Sequence, residues 1–376
     1  MERIVICGDF RAANPGVIKM DKDVADLFER ASVRICNFEA PIYTEDAKSI
    51  KKSGPSLYQS VEAPAFTKKL GFNVILLANN HIMDYGKEGC EATIAAFDDV
   101  TTVGAGDAKD AFSVRMIDVN GKRIGLCSLV QKEFGIVEGV SDKGYGAAWI
   151  NSFDVPEIIR NAKQNCDFLL VFPHAGVEHT PAPLPEWRKL YKHFIDWGAD
   201  AVIASHPHCP QGWECYQGKP IYYSLGDFYF DELTYDDLWY KSIVVELSIG
   251  DTIEVKEHFV CFDDKTGHIS IDNSERIREY IDYANHLLHN EEEYNLYINN
   301  MCIYRWKGIK YGLLRGLCGV SLQMRLKYII RLLGCMLLGN KDEMYLLNVL
   351  QCESHRWVLE HYLNSNNLNK QLNETN

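Results

Sequence analysis

Six short apolar runs in this sequence end in residues of the kinds that bind metal ions. The residues are carboxylates, amides and imidazoles: Asp9, Asn37, Glu39, Asn79, Asn80, His81, His174, His206, His208 and Asp227. In an α/β sheet the ends of neighbouring strands converge on a common crevice, where ligands usually bind. We therefore expect these side chains to meet at one edge of a sheet.

The chemistry that such a set supports is the binding of a divalent metal. Imidazoles combined with carboxylates and an amide oxygen suit manganese, zinc or iron. A bridging carboxylate allows two ions to sit about 3.5–4 Å apart, the arrangement used for in-line attack on phosphate esters. The set contains no cysteine, which argues against a structural zinc cluster. The expected cofactor is one or two divalent ions (Mn, Zn or Fe).

The most specific motif is His206-Pro207-His208. Proline is expected to hold this segment extended, so that the two histidines point the same way, as strand alternation requires. Other motifs also have a purely structural interpretation, which stays open here: a helix cap at Asp9, turn residues at Asn79 and Asn80, a backbone-bonded histidine at His81, and a solvated loop at Glu178 and His179. Taken together, the set favours a metal site.

Strands that alternate with helices must position these residues. The predicted strands cover residues 4–7, 33–36, 74–78, 168–172, 201–204 and 221–225, and the predicted helices cover 21–30, 63–70, 87–97, 155–164 and 185–197. Asn120-Gly121 predicts a type I′ hairpin between 115–119 and 123–128, and 241–247 pairs with 253–262. The sequence thus predicts a layered α/β core with a mixed sheet.

Composition and charge exclude several classes of protein. Of 376 residues, 47% are hydrophobic and 24% charged, which is typical of a globular chain. The net charge of −13 argues against nucleic acid as a partner. The N-terminal sequence does not read as a signal peptide or membrane anchor. Twelve cysteines without a CxxC spacing fit a reducing compartment, so we expect a cytoplasmic protein.

The character of the sequence changes after about residue 270, where strand signals stop and helix-rich sequence follows. We expect a first domain over residues 1–268, a helical region over 269–363 and a disordered, Asn-rich tail over 364–376. Residues 301–341 carry eight basic residues and no acidic one. Apolar residues recur at helical spacing from Leu322 to Leu337, with Lys327 and Arg331 on the opposite side and Arg325 at the margin.

Two interpretations of this basic segment stay open. One is an ordinary helix that packs its apolar stripe on the α/β core. The other is a surface that docks on the anionic inner face of a membrane, or on a synthase partner there, at about 1 kcal/mol per basic residue. The segment is too charged and too interrupted by glycines to span a bilayer.

Several motifs, in order along the chain, resemble the CapA family. They are Gly8-Asp9-Phe10, Asn37-Phe38-Glu39-Ala40-Pro41, residues 78–86, Gly104-Ala105-Gly106, residues 174–178, residues 198–203, His206-Pro207-His208 with Gln211, and residues 223–228. That family is named for bacterial capsule and poly-γ-glutamate synthesis, and its fold is like that of the calcineurin-type metallophosphoesterases. The match covers about residues 2 to 263. It implies a four-layered α/β/β/α sandwich with mixed sheets and metals at the strand ends.

The resemblance also implies roles for individual residues. It makes these residues metal ligands: Asp9, Glu39 as the bridging carboxylate, Asn80, His174, His206 and His208. His81 matches the histidine that protonates the leaving group, and Asp84 would orient it. Arg11 would steady the phosphate. The candidate substrate contacts are Glu178, Gln211 and Asp227.

Two positions depart from the metallophosphoesterase pattern. Where that pattern has Asp-x-His, Asp9 is followed by Phe10 and Arg11, which removes one ligand from the first metal. Asp227 stands where the pattern has asparagine and adds a negative charge near the site.

The resemblance implies a metal-dependent hydrolase of the phosphoesterase type, acting in the biosynthesis of a capsule, exopolysaccharide or polyglutamate-type polymer. Its substrate would be a phosphorylated glycan, lipid-linked or polymer precursor. Two alternatives stay open. One is a non-catalytic, metal-binding accessory subunit of a polymer-synthesis complex, and the other is an amide hydrolase acting on γ-glutamyl chains.

Overall fold

The computed structural model describes residues 2–45, 47–231, 237–318 and 343–374. The strands are β1 (Glu2–Arg11), β2 (Lys19–Met20), β3 (Val33–Phe38), β4 (Val74–Leu76), β5 (Thr101–Val103), β6 (Ala105–Asp107), β7 (Arg115–Val119), β8 (Lys122–Val130), β9 (Ile136–Val137), β10 (Tyr145–Ala148), β11 (Phe168–His174), β12 (Ala201–Ile203), β13 (Trp213–Tyr216), β14 (Lys219–Tyr222), β15 (Asp227–Phe230), β16 (Lys241–Ile249), β17 (Ile253–Asp263) and β18 (His268–Ile271). The helices are α1 (Lys22–Glu29), α2 (Ala63–Lys69), α3 (Gly86–Ala96), α4 (Ala108–Ala111), α5 (Val155–Lys163), α6 (Pro185–Trp197), α7 (Glu275–His289), α8 (Glu291–Cys318), α9 (Glu343–Gln351) and α10 (Glu353–Glu374).

Two large sheets carry the fold. The first has the order β2-β18-β17-β16-β1-β3-β4-β5, with β15 also pairing with β1, and the second has the order β13-β14-β12-β11-β8-β7. Both sheets are mixed. In the first, β1 runs parallel to β3 and antiparallel to β16. In the second, β8 runs parallel to β11 and antiparallel to β7. A small third sheet has the order β6-β10-β9. The predicted mixed α/β architecture is confirmed.

Successive side chains of β1 point to opposite faces of the first sheet, and this explains how the sheets and helices are layered. Ile4 and Ile6 belong to an apolar cluster that also takes Leu126 and Phe172 from the second sheet, so this cluster fills the space between the sheets. Val5 instead packs in a cluster that includes residues of helices α1 and α3. Helices α5 and α6 contact strands β11 and β12 of the second sheet. Helix, sheet, sheet and helix thus form the expected four layers.

At two positions, Gly8 and Gly121, the backbone conformation requires glycine or strongly favours it. A Cβ on Gly8 would lie 1.8 Å from the carbonyl oxygen of Gly226, so only glycine allows β1 and the start of β15 to approach this closely. Asn120 and Gly121 have φ of 57° and 71°, the positive values that a type I′ turn requires. The hairpin predicted there is β7–β8.

The chain divides into two compact units, Met1–Ile50 with Ser56–His289, and Lys51–Pro55 with Asn290–Asn376. The first unit extends past the boundary at residue 268 expected from the sequence. The reason is that β18 pairs with β17, and Ile277 and Ile281 of α7 join the apolar cluster between the sheets.

The second unit is helical, as expected. Helix α8 contacts both α9 and α10, and the rings of Trp306 and Tyr362 stack at 4.7 Å. A disordered tail was expected from residue 364, but α10 continues to Glu374. Helix propensities differ by under about 1 kcal/mol per residue, so an established helix can continue through an Asn-rich stretch.

The basic stripe expected from Leu322 to Leu337, with Arg325, Lys327 and Arg331, lies outside the described residues. Among the helices of the described ranges, none is both long enough and apolar enough to cross a bilayer.

Candidate metal centre

Strand register places the polar residues of the first sheet side by side. Asp9 near the end of β1 is the register partner of Asn37 on β3 and of Asp227 on β15. Glu39 directly follows β3, and Asn80 lies in the turn after β4. Because β1 and β3 run parallel, their polar ends reach the same edge, and the register with β15 places its first residue, Asp227, beside Asp9.

The second sheet supplies the histidines. His174 is the last residue of β11 and forms a bridge with Ser205, directly before the His-Pro-His motif. Its Nε2 lies 2.9 Å from Oδ1 of Asn80 and 3.2 Å from Nδ1 of His206. The two sheets therefore meet at a shared edge, where all six of the expected ligands and Asp227 are buried.

Within the part of the chain that the structure describes, two groups of three buried side chains could each hold an ion. One consists of Asp9, His208 and Asp227, and the other of Asp9, Glu39 and His174, with the ligand atoms of each group all within 4.8 Å of one another. Asp9 belongs to both groups. His208 Nε2 lies 3.6 Å from Glu39 Oε1, which links them further.

The surroundings of Glu39 show whether a cation fits this site. It is fully buried, and neither carboxylate oxygen has a hydrogen-bond partner among the described residues. Oδ2 of Asp227 is likewise buried without one. A buried carboxylate without partners costs several kcal/mol unless it is neutralised, paired or bound to a metal. The donor set of carboxylates, imidazoles and an amide oxygen fits a divalent ion.

The pKa values reflect this crowding of acidic groups. Burial raises the pKa of Glu39 well above its usual range, and the nearby charge of Asp9 adds to the effect. Burial also raises the pKa of Asp227 to about 7, although His208 opposes the shift. The site therefore favours a cation, or bound protons in its place.

Two of the histidines are held neutral. Burial lowers the pKa of His174 well below its ordinary value, and it lowers the pKa of His206 to about 4. A neutral imidazole offers a lone pair to a metal. His208 differs: burial opposes its charge, but Asp227 and Glu39 outweigh burial and hold its pKa well above the usual value.

His81 and Asp84 form a separate pair next to the cluster. Nδ1 of His81 lies 2.6 Å from Oδ2 of Asp84, and the same oxygen accepts from the backbone N–H of Leu57 at 2.7 Å. A carboxylate only accepts, so Nδ1 is the donor and Nε2 is the nitrogen left to exchange a proton.

The other expected residues have different surroundings. Arg11 is buried and donates to the carbonyl of Asp231 at 2.6 Å, with its guanidinium 5.6 Å from the ring of Phe230. These contacts hold Arg11 in a structural ion pair with Asp231. Asp227 lies among the candidate ligands themselves, where its Oδ1 is 2.9 Å from Nδ1 of His208.

Glu178 and Gln211 lie outside the two ligand groups. Glu178 is exposed, yet its charge contributes to the raised pKa of Asp227, which places it near the cluster. Gln211 is buried and donates from Nε2 to the carbonyl of Thr180 at 2.9 Å.

The expectation that Pro207 holds an extended segment is wrong. His206 has φ of 100° and His208 has φ of 54°, both in the left-handed region that non-glycine residues rarely adopt. The segment bends, and the bend rather than strand alternation brings both imidazoles to the site. Such backbone strain costs about 1–3 kcal/mol per residue and clusters at functional sites.

Sequence reasoning missed the residues that orient the ligands. Nδ2 of Asn37 donates to Asp9 at 2.7 Å, and Nδ2 of Asn79 donates to Oδ1 of Asn37 at 3.2 Å. Gln131 directly follows β8, and its Nε2 lies 2.9 Å from Nε2 of His206. Asn37, Asn79 and Gln131 each follow an apolar run, which is the pattern that predicted the metal ligands. The same pattern also indicates residues that hydrogen-bond to those ligands.

Two aromatic rings pack against the ring of His208. The ring of Trp239 lies 4.7 Å from that of His208, and the ring of Phe230 lies 5.1 Å from it. Trp239 is itself almost fully buried. These rings exclude water and so strengthen the electrostatic interactions of His208.

The family model of the bacterial capsule synthesis protein PGA_cap matches residues 8–232, more than half of the chain. The chain belongs to this family. The match includes all the candidate ligands on both sheets.

Two capsule or PGA biosynthesis proteins are similar to about half of this chain. The capsule biosynthesis protein CapA of Bacillus anthracis is 34% identical over 206 residues, which are 52% of this chain and 50% of that protein. The PGA biosynthesis protein CapA of Bacillus subtilis is 34% identical over 224 residues, 56% of each chain. The chain thus spans about half the length of these relatives.

Among solved structures, a 5'-nucleotidase from Candida albicans aligns with a TM-score of 0.42 and 10% identity, over 70% of this chain and 52% of that one. That likeness is too weak to assign an activity.

Proposed function

We propose that this protein is a metal-dependent hydrolase of a phosphoester, or of a related phosphate linkage, in the biosynthesis of a capsule or polyglutamate-type polymer. The observation that carries the proposal is Glu39, whose two buried carboxylate oxygens lack hydrogen-bond partners among the described residues. Membership of the PGA_cap family supports the place in polymer biosynthesis.

The metal would be held by this chain's own buried ligands. Asp9, Glu39 and Asp227 supply carboxylates, His174, His206 and His208 supply imidazoles, and Asn80 supplies an amide oxygen. A bound divalent ion polarises phosphoryl oxygens and makes a water molecule acidic enough to attack at neutral pH. Asn37 and Gln131 orient the ligands through the hydrogen bonds to Asp9 and His206.

His81 is the proposed acid. Its Nδ1 is held by Asp84 at 2.6 Å, which fixes the orientation of the ring. Nε2 then donates a proton to the oxygen of the leaving group. This assignment explains why a carboxylate buried as fully as Asp84 serves a histidine at the edge of the cluster.

A non-catalytic accessory role is the second candidate, and one observation favours it. At the position where the metallophosphoesterase pattern has a histidine, Arg11 is paired with Asp231, and the intervening Phe10 packs against Phe38 and Phe72. The first strand therefore contributes one ligand, Asp9. A protein of this kind would keep the ion for ligand binding without turnover.

Metal analysis and turnover together separate the candidates. Protein purified without chelator is compared with the double variant His206→Ala, His208→Ala and with His193→Ala, a half-exposed histidine on α6 as the control. We expect manganese to be lost only in the double variant. Equal metal content in the double variant and the unaltered protein would refute the metal site.

Turnover is then measured with p-nitrophenyl phosphate, bis(p-nitrophenyl) phosphate and a γ-glutamyl p-nitroanilide in the presence of manganese. Hydrolysis of a phosphate ester that is lost in Glu39→Gln supports the hydrolase. A protein that holds manganese but cleaves no phosphate ester would favour the accessory role, and cleavage of the anilide alone would favour an amide hydrolase.

A further inference from the structure

Three tyrosines form an exposed cluster beside the His81–Asp84 pair. The ring centroids of Tyr43, Tyr58 and Tyr85 lie 5.2 Å (43 to 58), 6.0 Å (43 to 85) and 5.8 Å (58 to 85) apart. Tyr43 is 42% exposed and Tyr58 39% exposed, while Tyr85 is half-buried. We call these three residues the tyrosine cluster. Grouped aromatic rings left open to solvent mark a binding surface more often than scattered ones do.

Hydrogen bonds made by Gln59 tie the segments that carry Tyr43 and Tyr58 to the candidate metal centre. Gln59, next to Tyr58, is fully buried and donates from Nε2 to the carbonyls of Phe10 at 3.1 Å and Glu39 at 3.2 Å. Its own carbonyl accepts from the N–H of Tyr43 at 2.9 Å. The segments that carry Tyr43 and Tyr58 are thus held against the ends of β1 and β3.

A second connection leads to His81. Leu57, on the other side of Tyr58, donates its N–H to the same Asp84 oxygen that bonds His81. Tyr85 follows Asp84 directly in the chain. Tyr85 is therefore the neighbour of Asp84 in the chain, and Tyr58 is the neighbour of Leu57, which bonds Asp84. Both tyrosines belong to segments that contact the partner of the proposed acid, His81.

The chemistry of the tyrosine cluster selects its ligand. A tyrosine ring offers an apolar face and a hydroxyl that both donates and accepts, which matches a pyranose, with its apolar C–H face and polar rim. An anionic polymer is the competing ligand, and it would be recognised by lysine or arginine rather than by the tyrosine rings.

We propose that the tyrosine cluster is a subsite for a neutral sugar ring, and that this sugar belongs to the leaving group of the substrate. The second part rests on the proposed phosphoester hydrolysis, because it places the sugar on the side of His81. The first part, sugar binding, does not depend on any turnover.

Binding is measured on the full chain by calorimetry with neutral hexasaccharides of α-linked glucose, β-linked glucose and β-linked N-acetylglucosamine, and with a γ-linked glutamate hexamer. We expect one of the hexasaccharides to bind. Tyr58→Ala and Tyr43→Ala should each weaken that binding about tenfold, which is about 1.4 kcal/mol. Tyr58→Phe keeps the ring and should stay within about threefold of the unaltered protein.

Tyr283→Ala is the matched control, since Tyr283 is 45% exposed on α7 and belongs to the same compact unit. Its sugar affinity should not change. Equal weakening in Tyr283→Ala and Tyr58→Ala, binding of the glutamate hexamer in place of every sugar, or no binding of any hexasaccharide would overturn the proposal.

A measurement on the unaltered protein covers the case in which a variant does not fold. Hydroxyl-radical footprinting should show Tyr43 and Tyr58 protected by the hexasaccharide relative to Tyr283 in the same sample, and unchanged ratios would contradict the subsite. Sugar binding is also measured in Glu39→Gln. Binding that persists in that variant while phosphate turnover is absent from the unaltered protein would sink the hydrolase and leave the sugar subsite in place.

Discussion

Replacing Glu39 by glutamine tests the central feature of the site, a buried carboxylate whose charge favours a bound cation, or a bound proton in its place. The substitution keeps the size of the side chain and removes its charge. In metal-free protein burial penalises the charged form of Glu39, since neither oxygen has a hydrogen-bond partner among the described residues and the nearest imidazole nitrogens lie 3.6–3.7 Å away. An amide can donate to neighbouring carboxylates such as Asp9. We therefore expect metal-free Glu39→Gln to be as stable as the unaltered protein or more stable, by about 1–3 kcal/mol.

Adding metal should reverse the order. A ligand at about 100 times its Kd stabilises the folded state by about 2.7 kcal/mol. For a unit of this size, each kcal/mol raises Tm by about 2–4 °C, so manganese should raise the Tm of the unaltered protein by about 5–11 °C. In Glu39→Gln most of this shift should be lost, because the carboxylate that approaches both His174 and His208 is gone.

The assay is thermal unfolding followed by circular dichroism, in chelator and then in excess manganese. Glu246→Gln is the control: Glu246 is also buried, but it is paired with Arg3 at 2.9 Å and with His258 at 2.8 Å. Its replacement should lower Tm in chelator and leave the manganese shift intact. A Glu39→Gln protein that is less stable in chelator yet keeps the full manganese shift would refute this account of the site.

Three further predictions follow from other parts of the molecule. His81→Ala should slow hydrolysis of phenyl phosphate by about 100-fold or more but slow p-nitrophenyl phosphate much less, since a good leaving group needs little proton transfer; equal losses on both substrates would argue against His81 as the acid. Glu214 is only partly buried, and although burial opposes it, hydrogen bonds from Arg188 and Tyr223 lower its pKa to about 2. Its contribution to stability is therefore complete above the ordinary glutamate pKa of about 4.3 and is lost as pH falls through the folded-state value. Glu214→Gln should destabilise the protein by about 1–2 kcal/mol at neutral pH, after allowance for solvent screening, and the difference in Tm should shrink as pH falls; a difference independent of pH would contradict the ion pair. Because residues 301–341 are basic, we expect the protein to sediment with vesicles of anionic lipid more than with neutral vesicles. Replacement of Arg325, Lys327 and Arg331 by glutamine should weaken this sedimentation. Equal sedimentation with both kinds of vesicle would favour the interpretation of the segment as a packed helix.

Sequence alone predicted that these carboxylates, amides and imidazoles meet at one sheet edge, and the structure brings them together there. Apolar runs of four to six residues are buried on both faces, so their ends are defined by the first polar residue, and parallel strands bring those ends together. That reasoning placed Asp9, Glu39 and His174, which lie near, directly after and at the end of their strands. The hairpin at Asn120-Gly121 was equally clear, because a type I′ turn requires positive φ at both residues.

The tertiary structure decided what distant segments do to one another. Arg11 and Asp231 are 220 residues apart in sequence, so nothing local could show that the arginine expected to hold phosphate is paired with a carboxylate. At the bend, the N–H of His206 donates to Asp9, 197 residues away in sequence, and Nδ1 of His208 lies 2.9 Å from Oδ1 of Asp227. The tyrosine cluster draws on three segments that share no periodic pattern. Local residue patterns fix strands and turns because their forces act over a few residues, whereas ion pairs and ring contacts depend on packing, which only the folded chain defines.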